Sequence, residues 1–311
     1  MMDLMRPMLA TATDHVPPGE GWLHEVKWDG VRVLVDVRGG ETRMFSRNGN
    51  VVTAAWPDLA ASPLADRDLL VDGEVIALNA RGIPDFRVLQ HRMHVRKAIE
   101  AARLAEQIPA TLMAFDLLRL DGENLTDRPL EERRDLLAGL GLAETAWQVP
   151  AAYDDGAMLW DATFQQGLEG VVSKRRSSRY RHDTRSKDWL KRAHRHRGSF
   201  VVGGWRSQVD TTGRLAAVLV GEPTADGLNY RGRVGSGLTG ASARQLQELL
   251  APLHAPTSPF ADEVPRVDAQ GTTWVEPVVV VDIDTHGLGY DRLRQPSFQG
   301  VRSDLSPEDL T

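Results

Sequence analysis

A lysine amine becomes a nucleophile only when part of it is deprotonated. Neighbouring cations and desolvation both favour that neutral form. Lys27 lies in the stretch HEVKWDGVRVLVDV (24–37), where Asp29-Gly30 is a strong two-residue hairpin signal. A two-residue loop there predicts that Trp28 faces Val31 and Lys27 faces Arg32. Two cations opposed on a ribbon repel each other. A phosphate bound between them turns that repulsion into attraction. The plain alternative is a solvated hairpin carrying two unrelated long side chains, and on this fragment alone it is the better reading.

Other segments add to the fragment. SRNG (46–49) puts Arg47 at a strand end beside an Asn-Gly turn, and VDGEV (71–75) puts Glu74 just after another turn. EGVV (169–172) supplies Glu169, with Lys174 two residues further on, and DWLK (188–191) supplies Lys191. Each is individually weak, since a carboxylate beside a turn is usually solvated. Together they give lysines and arginines to hold phosphates and carboxylates to hold Mg²⁺, which is the inventory of a nucleotide-using site.

These residues need elements to position them. The first ~195 residues mix strands and helices. RMFSR reads as a strand, LLVDGEVIAL (69–78) as a strand pair or one bent strand, and ATLMAFDLLRL as a buried strand ending at Asp121-Gly122. FRVLQHRM and RKAIEAARLAEQ have helical spacing, LEERRDLLAGL is a helix with Gly141 past its end, and LEGVVSKR is a strand. Phe86, Leu89 and Met93 read as core, and Arg92 as a salt-bridged or solvated side chain rather than a DNA contact. Beyond Gly198 come the strands SFVVGGWR, RLAAVLVGE and LNYRGRV, the helix ARQLQELLAPL, and a last extended portion beginning TTWVEPVVVVDID. Short strands with one inserted helix suggest a small oligonucleotide/oligosaccharide-binding (OB) barrel. The expected organisation is therefore α+β, with domains at 1–194 and 195–311.

Bulk properties exclude several classes. The 311 residues contain no cysteine, which rules out disulfides, cysteine nucleophiles and thiolate metal sites. The start MMDLMRPMLA lacks a signal-peptide apolar core, and no segment reaches membrane-spanning length, so a cytoplasmic protein is expected. Net charge is -6, yet residues 174–197 hold eleven Lys or Arg against two Asp. A basic belt on an acidic body is the footprint of a polyanion-binding face. Trp189 and Leu190 interrupt it, which a solvated linker would not need. The histidines form no H-x-x-x-H pair on a clear helix, so a histidine metal site is not expected. GSGLTG (235–240) matches a dinucleotide-binding pattern in letters only, because it falls within the expected barrel.

The ordered set of segments resembles the covalent nucleotidyltransferases, specifically ATP-dependent DNA ligases such as the ligase module of bacterial end-joining ligases. The likeness runs from RPMLA at 6–10 to GVRSDLSPED at 300–309. It implies a nucleotidyltransferase (ATP-grasp-like) adenylation domain followed by an OB-fold domain. EVKWDGVR implies that Lys27 is adenylated, with Glu25 and Arg32 at the nucleotide. SRNG implies Arg47 on the phosphate side. DGE implies Glu74 at the ribose or the metal, and AFDLL implies Phe115 stacking on adenine. EGVVSK implies Glu169 at the metal and Lys174 in the pocket, and WLK implies Lys191 on the α-phosphate. Arg302 and Asp304 are implied to orient pyrophosphate. The implied cofactors are ATP, as AMP on Lys27, and Mg²⁺ or Mn²⁺. The implied partners are nicked duplex DNA and a Ku-like or other repair protein, with the chain a monomer. Two positions depart from the family pattern, since Ala193 and Leu305 replace the usual lysines. An RNA ligase, a capping-type guanylyltransferase, and a DNA-binding relative that has lost catalysis are the competing readings.

Overall fold

The computed structural model describes residues 6–142, 145–208, 213–286 and 291–310, so the first five residues of MMDLMRPMLA lie outside it. The chain forms two compact units, Met1–Ala193 and His194–Thr311.

The first unit carries strands β1 (Leu9–Ala12), β2 (Trp22–Val26), β3 (Val31–Arg38), β4 (Glu41–Ser46), β5 (Leu69–Ile76), β6 (Thr111–Leu120), β7 (Glu123–Asn124), β8 (Trp147–Gln148), β9 (Gly170–Arg175) and β10 (Arg185–Ala193). Its helices are α1 (Pro57–Ala60), α2 (Phe86–Gln90), α3 (Ala98–Gln107), α4 (Leu130–Ala138) and α5 (Gly156–Gln165). One sheet has the order β4-β3-β5-β6-β7, with β8 on β6, and the other has the order β1-β10-β9-β2. In β6 every residue from Leu112 to Leu118 is buried, and all are apolar except Asp116, whose carboxylate is paired with the buried Arg133 at 2.7 and 2.8 Å. Leu112, Ala114 and Leu117 join a large core with Trp56, Leu59 and Trp147. Phe115 and Leu118 join a second cluster with Met8, Tyr180 and Trp189, where the two sheets meet.

The hairpin expected at Asp29-Gly30 does not form. β2 pairs with β9, whereas β3 pairs with β4 and β5, so residues 27–30 cross from one sheet to the other. Tertiary contacts override the local turn signal here. Gly30 does not take a left-handed conformation. A Cβ there would run into the Val75 carbonyl oxygen and lie 2.9 Å from Glu74 Cγ, so this glycine permits close approach to β5. Asp29 accepts a hydrogen bond from the Phe86 backbone N–H at 3.2 Å instead of shaping a turn. Lys27 and Arg32 are consequently not cross-strand partners.

Elsewhere the pattern reading translates more directly. Asp121-Gly122 does make a turn, with φ 49° and 83°, between β6 and β7. LLVDGEVIAL is one strand rather than two, with a register shift against β6 at Asp72/Gly73. The helical reading of 86–107 breaks into α2 and α3. Arg92 is fully buried, bonded to Asp58 at 2.5 and 2.9 Å and lying over the Trp56 ring. Leu89 and Met93 join the large core. The basic belt becomes the end of β9, the connection 176–184, the whole of β10 and the start of β11, with Trp189 buried.

The second unit carries β11 (His196–Ser207), β12 (Leu215–Thr224), β13 (Gly227–Val234), α6 (Gly240–Leu250), α7 (Arg266–Ala269), β14 (Thr272–Trp274), β15 (Val280–Thr285) and β16 (Ser297–Val301). Its sheet has the order β13-β12-β11-β15-β16 and is antiparallel. Along one edge β11 pairs first with β15 and then with β14. GSGLTG links β13 to α6, with Thr239 at the helix's N-cap and Gly240 as its first residue. This is loop and cap chemistry, outside any parallel sheet.

Candidate nucleotide site

Continuation of the β2–β9 pairing positions Lys27. Its backbone N–H donates to the Gly170 carbonyl at 2.8 Å, which brings its side chain beside Glu169. Lys27 Nζ lies 2.5 Å from Glu169 Oε1. The amine opens into a cavity lined by six basic side chains (Lys27, Arg32, Arg47, Lys174, Arg185 and Lys191) and two acidic ones, Glu25 and Glu74. Phe115, Trp28, Trp189, Val26 and Val172 supply apolar wall, and Leu9 and Ala10 of β1 close one side. An excess of cations over a partly aromatic cavity is chemically suited to a base attached to phosphates.

The sequence-predicted residues fall into two groups. Glu25, Lys27, Arg32, Arg47, Glu74, Phe115, Lys174 and Lys191 line this one cavity, and Glu169 pairs with Lys27 at it. Arg302 and Asp304 belong to the second unit. There Arg302 pairs with Asp304 at 2.7 and 2.8 Å and with Asp282 at 3.4 Å. The same pairing holds the Asp304 carboxyl down at about 2.

The cation that faces Lys27 is not Arg32. Arg32 stands opposite Glu74 in the β3–β5 register and binds Asp72 through Nε and Nη2, at 2.6 and 2.7 Å. Lys191 takes the expected part. Burial, and then the charges of Lys27, Arg47 and Arg185, push its ammonium below the ordinary lysine range, and Glu169 partly offsets them. The like-charge crowding that an anion would relieve therefore surrounds Lys191.

Two further groups carry altered proton affinity. Burial pushes the Glu74 carboxyl up to about 8, against the lowering pull of Arg32 and Lys27. Burial also lowers the Lys174 ammonium, with Glu25 at 2.6 Å opposing the shift. Lys174 Nζ sits 4.1 Å from the Phe115 ring centroid and Arg32 Cζ 4.8 Å from it, so both cations border the ring. Glu25 is also 3.3 Å from Arg134 of α4.

Sequence reading missed Arg185, Trp189 as a cavity wall, Arg134, and the pair Asp72–Tyr180 that holds Arg32. Arg185 was within reach. Strand alternation from Lys191 along β10 puts residues 185, 189 and 191 on one face, and all three line the cavity. Arg192 points the other way, with Cζ 3.8 Å from the Trp160 ring centroid. Ala193, where the family pattern has lysine, pairs with Gly170. Leu305, at the other departure, packs against the barrel cluster of Val201, Leu219, Tyr230 and Phe260.

Comparison with known proteins places this geometry in context. Residues 7–192 match the family described as ATP dependent DNA ligase domain, and residues 211–305 match ATP dependent DNA ligase C terminal region. The multifunctional non-homologous end joining protein LigD of Mycobacterium bovis is 37% identical over 99% of this chain and 40% of its own length. This chain therefore spans about two fifths of that relative. A DNA ligase of Natronomonas pharaonis is 33% identical over 98% of this chain and 56% of its own length. Among solved structures, mycobacterial DNA ligase D complexed with ATP and MES matches with a TM-score of 0.59 at 37% identity, covering 100% of this chain and 99% of that one. A Lig E DNA ligase matches in fold, with a TM-score of 0.62 at 18% identity, over 96% of this chain and 99% of that one. The fold is that of an adenylation domain followed by a C-terminal OB-fold.

Proposed function

Since the chain belongs to the ATP-dependent DNA ligase family, we propose that its cavity seals nicks through three phosphoryl transfers with Lys27 as the nucleophile. Neutral Lys27 Nζ attacks the α-phosphorus of ATP in line. An N–P bond forms, the bond to the bridging oxygen breaks, and pyrophosphate leaves with that electron pair. AMP then passes from Lys27 to a 5′-phosphate at a nick. The 3′-hydroxyl attacks that 5′-phosphate and AMP departs. The chain's contribution is positioning and charge stabilisation.

Roles follow from placement in the cavity. Lys191, Arg47 and Arg185 take the phosphates, and Arg32 and Glu25 hold the nucleoside side with Lys174. Phe115 stacks on the base. Glu74 and Glu169 are the carboxylates beside Lys27, and a pair of oxygen donors that leaves room for phosphate oxygens suits Mg²⁺ or Mn²⁺. Such an ion supplies neutralising charge to the phosphates. Arg302 and Asp304 orient the pyrophosphate in the first step, with a functional boundary at 194/195 acting as a hinge. We place the reaction in DNA end joining, the process named for the LigD relatives, with a Ku-like end binder as partner. We further place the chain in the cytoplasm, as a monomer; among the described residues no helix is long and apolar enough to cross a membrane.

The observation that carries this reading is the Lys27 amine opening into a cavity with five other cations. The test is incubation with α-labelled ATP and Mg²⁺ followed by denaturation. Label should remain covalently bound to the wild type and be absent from Lys27→Ala. Equal retention by both, or none by the wild type, refutes the assignment.

A further inference from the structure

Arg32 reaches the cavity through a side chain whose direction is set elsewhere. Its Nε and Nη2 donate to the two oxygens of Asp72, and Nη2 also donates to the Met8 carbonyl at 3.1 Å. Among the described residues this leaves Nη1 as the guanidinium nitrogen without a hydrogen bond. Asp72 is fully buried. A buried carboxylate keeps its two oxygens aimed only if its remaining lone pairs are also satisfied. The third donor is Tyr180, whose hydroxyl gives its proton to Asp72 Oδ2 at 2.6 Å. The same hydroxyl accepts from the Met8 backbone N–H at 3.0 Å.

Tyr180 thus joins the carboxylate that holds Arg32 to Met8, the residue whose carbonyl also holds Arg32. Its ring is 4% exposed and meets Trp189, a cavity wall, edge-on with centroids 5.7 Å apart. The ring alone accounts for packing. The hydroxyl, with one bond to each of Arg32's two anchors, has no packing purpose that phenylalanine would not serve.

We propose that Tyr180 is a positioning residue for adenylation: its hydroxyl fixes Asp72 and Met8, and through them the guanidinium of Arg32 at the nucleotide. The inference rests on the reading of Arg32 as a nucleotide contact. It concerns ATP capture rather than the transfer step, because Tyr180 touches neither Lys27 nor the phosphate-binding cations. The hydroxyl also ties β1 to the cavity, since Met8 immediately precedes the strand whose Leu9 and Ala10 form a wall.

The experiment is a titration of ATP in the self-adenylation of the full chain, with thermal midpoints recorded in parallel. Tyr180→Phe should raise KM for ATP about tenfold while kcat stays within about twofold, the loss expected when one hydrogen bond to a charged group is removed. Combined with Arg32→Ala, it should add nothing beyond Arg32→Ala alone, because both act through one guanidinium. An unchanged KM in Tyr180→Phe, or a fully additive double variant, overturns the proposal. If Arg32→Ala itself takes up ATP like the wild type, the nucleotide role of Arg32 falls and the proposal with it. Should Tyr180→Phe fail to fold, 4-fluorophenylalanine at position 180 fills the hydroxyl's space without its proton and leaves the Arg32–Asp72 pair in place. A KM rise there supports the proposal, and an unchanged KM overturns it.

Discussion

Glu74 stands under opposing influences. Burial favours its neutral acid, whereas Arg32 and Lys27 favour the carboxylate, and burial wins to leave the group near 8. The sign of the consequence follows from linkage. Between the ordinary carboxyl value of 4.5 and about 8 the folded chain holds a proton that the unfolded chain has released, so stability falls as pH rises through that window. Glu74→Gln removes the titration. Its melting temperature relative to the wild type should therefore be distinctly higher at pH 8.5 and nearly equal at pH 5. Calorimetry at the two pH values decides this, and an equal offset at both would mean that Glu74 is not held protonated by the fold. The same reasoning bears on function. A cation bound at Glu74 must displace that proton, so metal uptake near neutral pH should release acid.

At the scale of elements, three of the five Asp-Gly pairs had one sequence signal and met three fates. Asp121-Gly122 became a turn because its neighbours β6 and β7 pair locally. Asp72-Gly73 stayed within β5, where a Cβ on Gly73 would lie 2.8 Å from Leu112 and 2.9 Å from the Met113 carbonyl oxygen. Asp29-Gly30 became a crossover between sheets, held by Phe86 and by contact with β5. Local pattern legibly gave the strands, because alternation and apolar runs are local properties. Sheet membership was not legible, because β2 chooses β9, nearly 150 residues away, over its neighbour β3. The cavity residues could be named because their types are unusual at strand ends, while their pairings could not. Arg32 was assigned to Lys27 and belongs to Asp72. These fates predict unequal costs for one substitution. Gly122→Ala meets only Asp68, at 3.9 Å, and should cost about 1–2 kcal/mol for its left-handed backbone. Gly30→Ala must displace β5 or Glu74, so it should cost more than about 2 kcal/mol and abolish labelling at Lys27. Urea denaturation of both variants checks the order; a Gly30→Ala chain as stable as Gly122→Ala would contradict the close-approach account.

Across the whole molecule the question is how much of the basic belt is free to meet DNA. Eleven Lys or Arg in 174–197, all bound to phosphates, would give a salt slope of about −10 in log K against log salt. The fold assigns many of them elsewhere. Lys174 is buried against Glu25, Arg176 is paired with Asp154, and Arg197 is paired with Asp284. Arg185 and Lys191 line the cavity, and Arg192 lies over Trp160. Arg175 is paired with Asp188, and Arg195, exposed and without an acidic partner among the described residues, belongs to the second unit. Within the first unit, Arg179, Arg181 and Lys187 are exposed and have no acidic partner among the described residues. If these three carry the belt's share of nick binding, replacing them together with alanine should reduce the slope by about 3, at about 0.9 per phosphate contact. Arg176→Ala should leave the slope as it was, because its charge is already neutralised by Asp154 and its Nε by the Glu20 carbonyl. Binding of a nicked duplex measured across a range of salt separates the cases. If Arg176→Ala lowers the slope as much per charge as the triple variant does, the belt acts as undifferentiated charge and its ion pairs yield to DNA. If only the triple variant lowers it, the strand architecture has sorted the belt into cavity, core and DNA-facing cations. A charge run that looks uniform in sequence is then three functions laid along β9, β10, the connection between them and the start of β11.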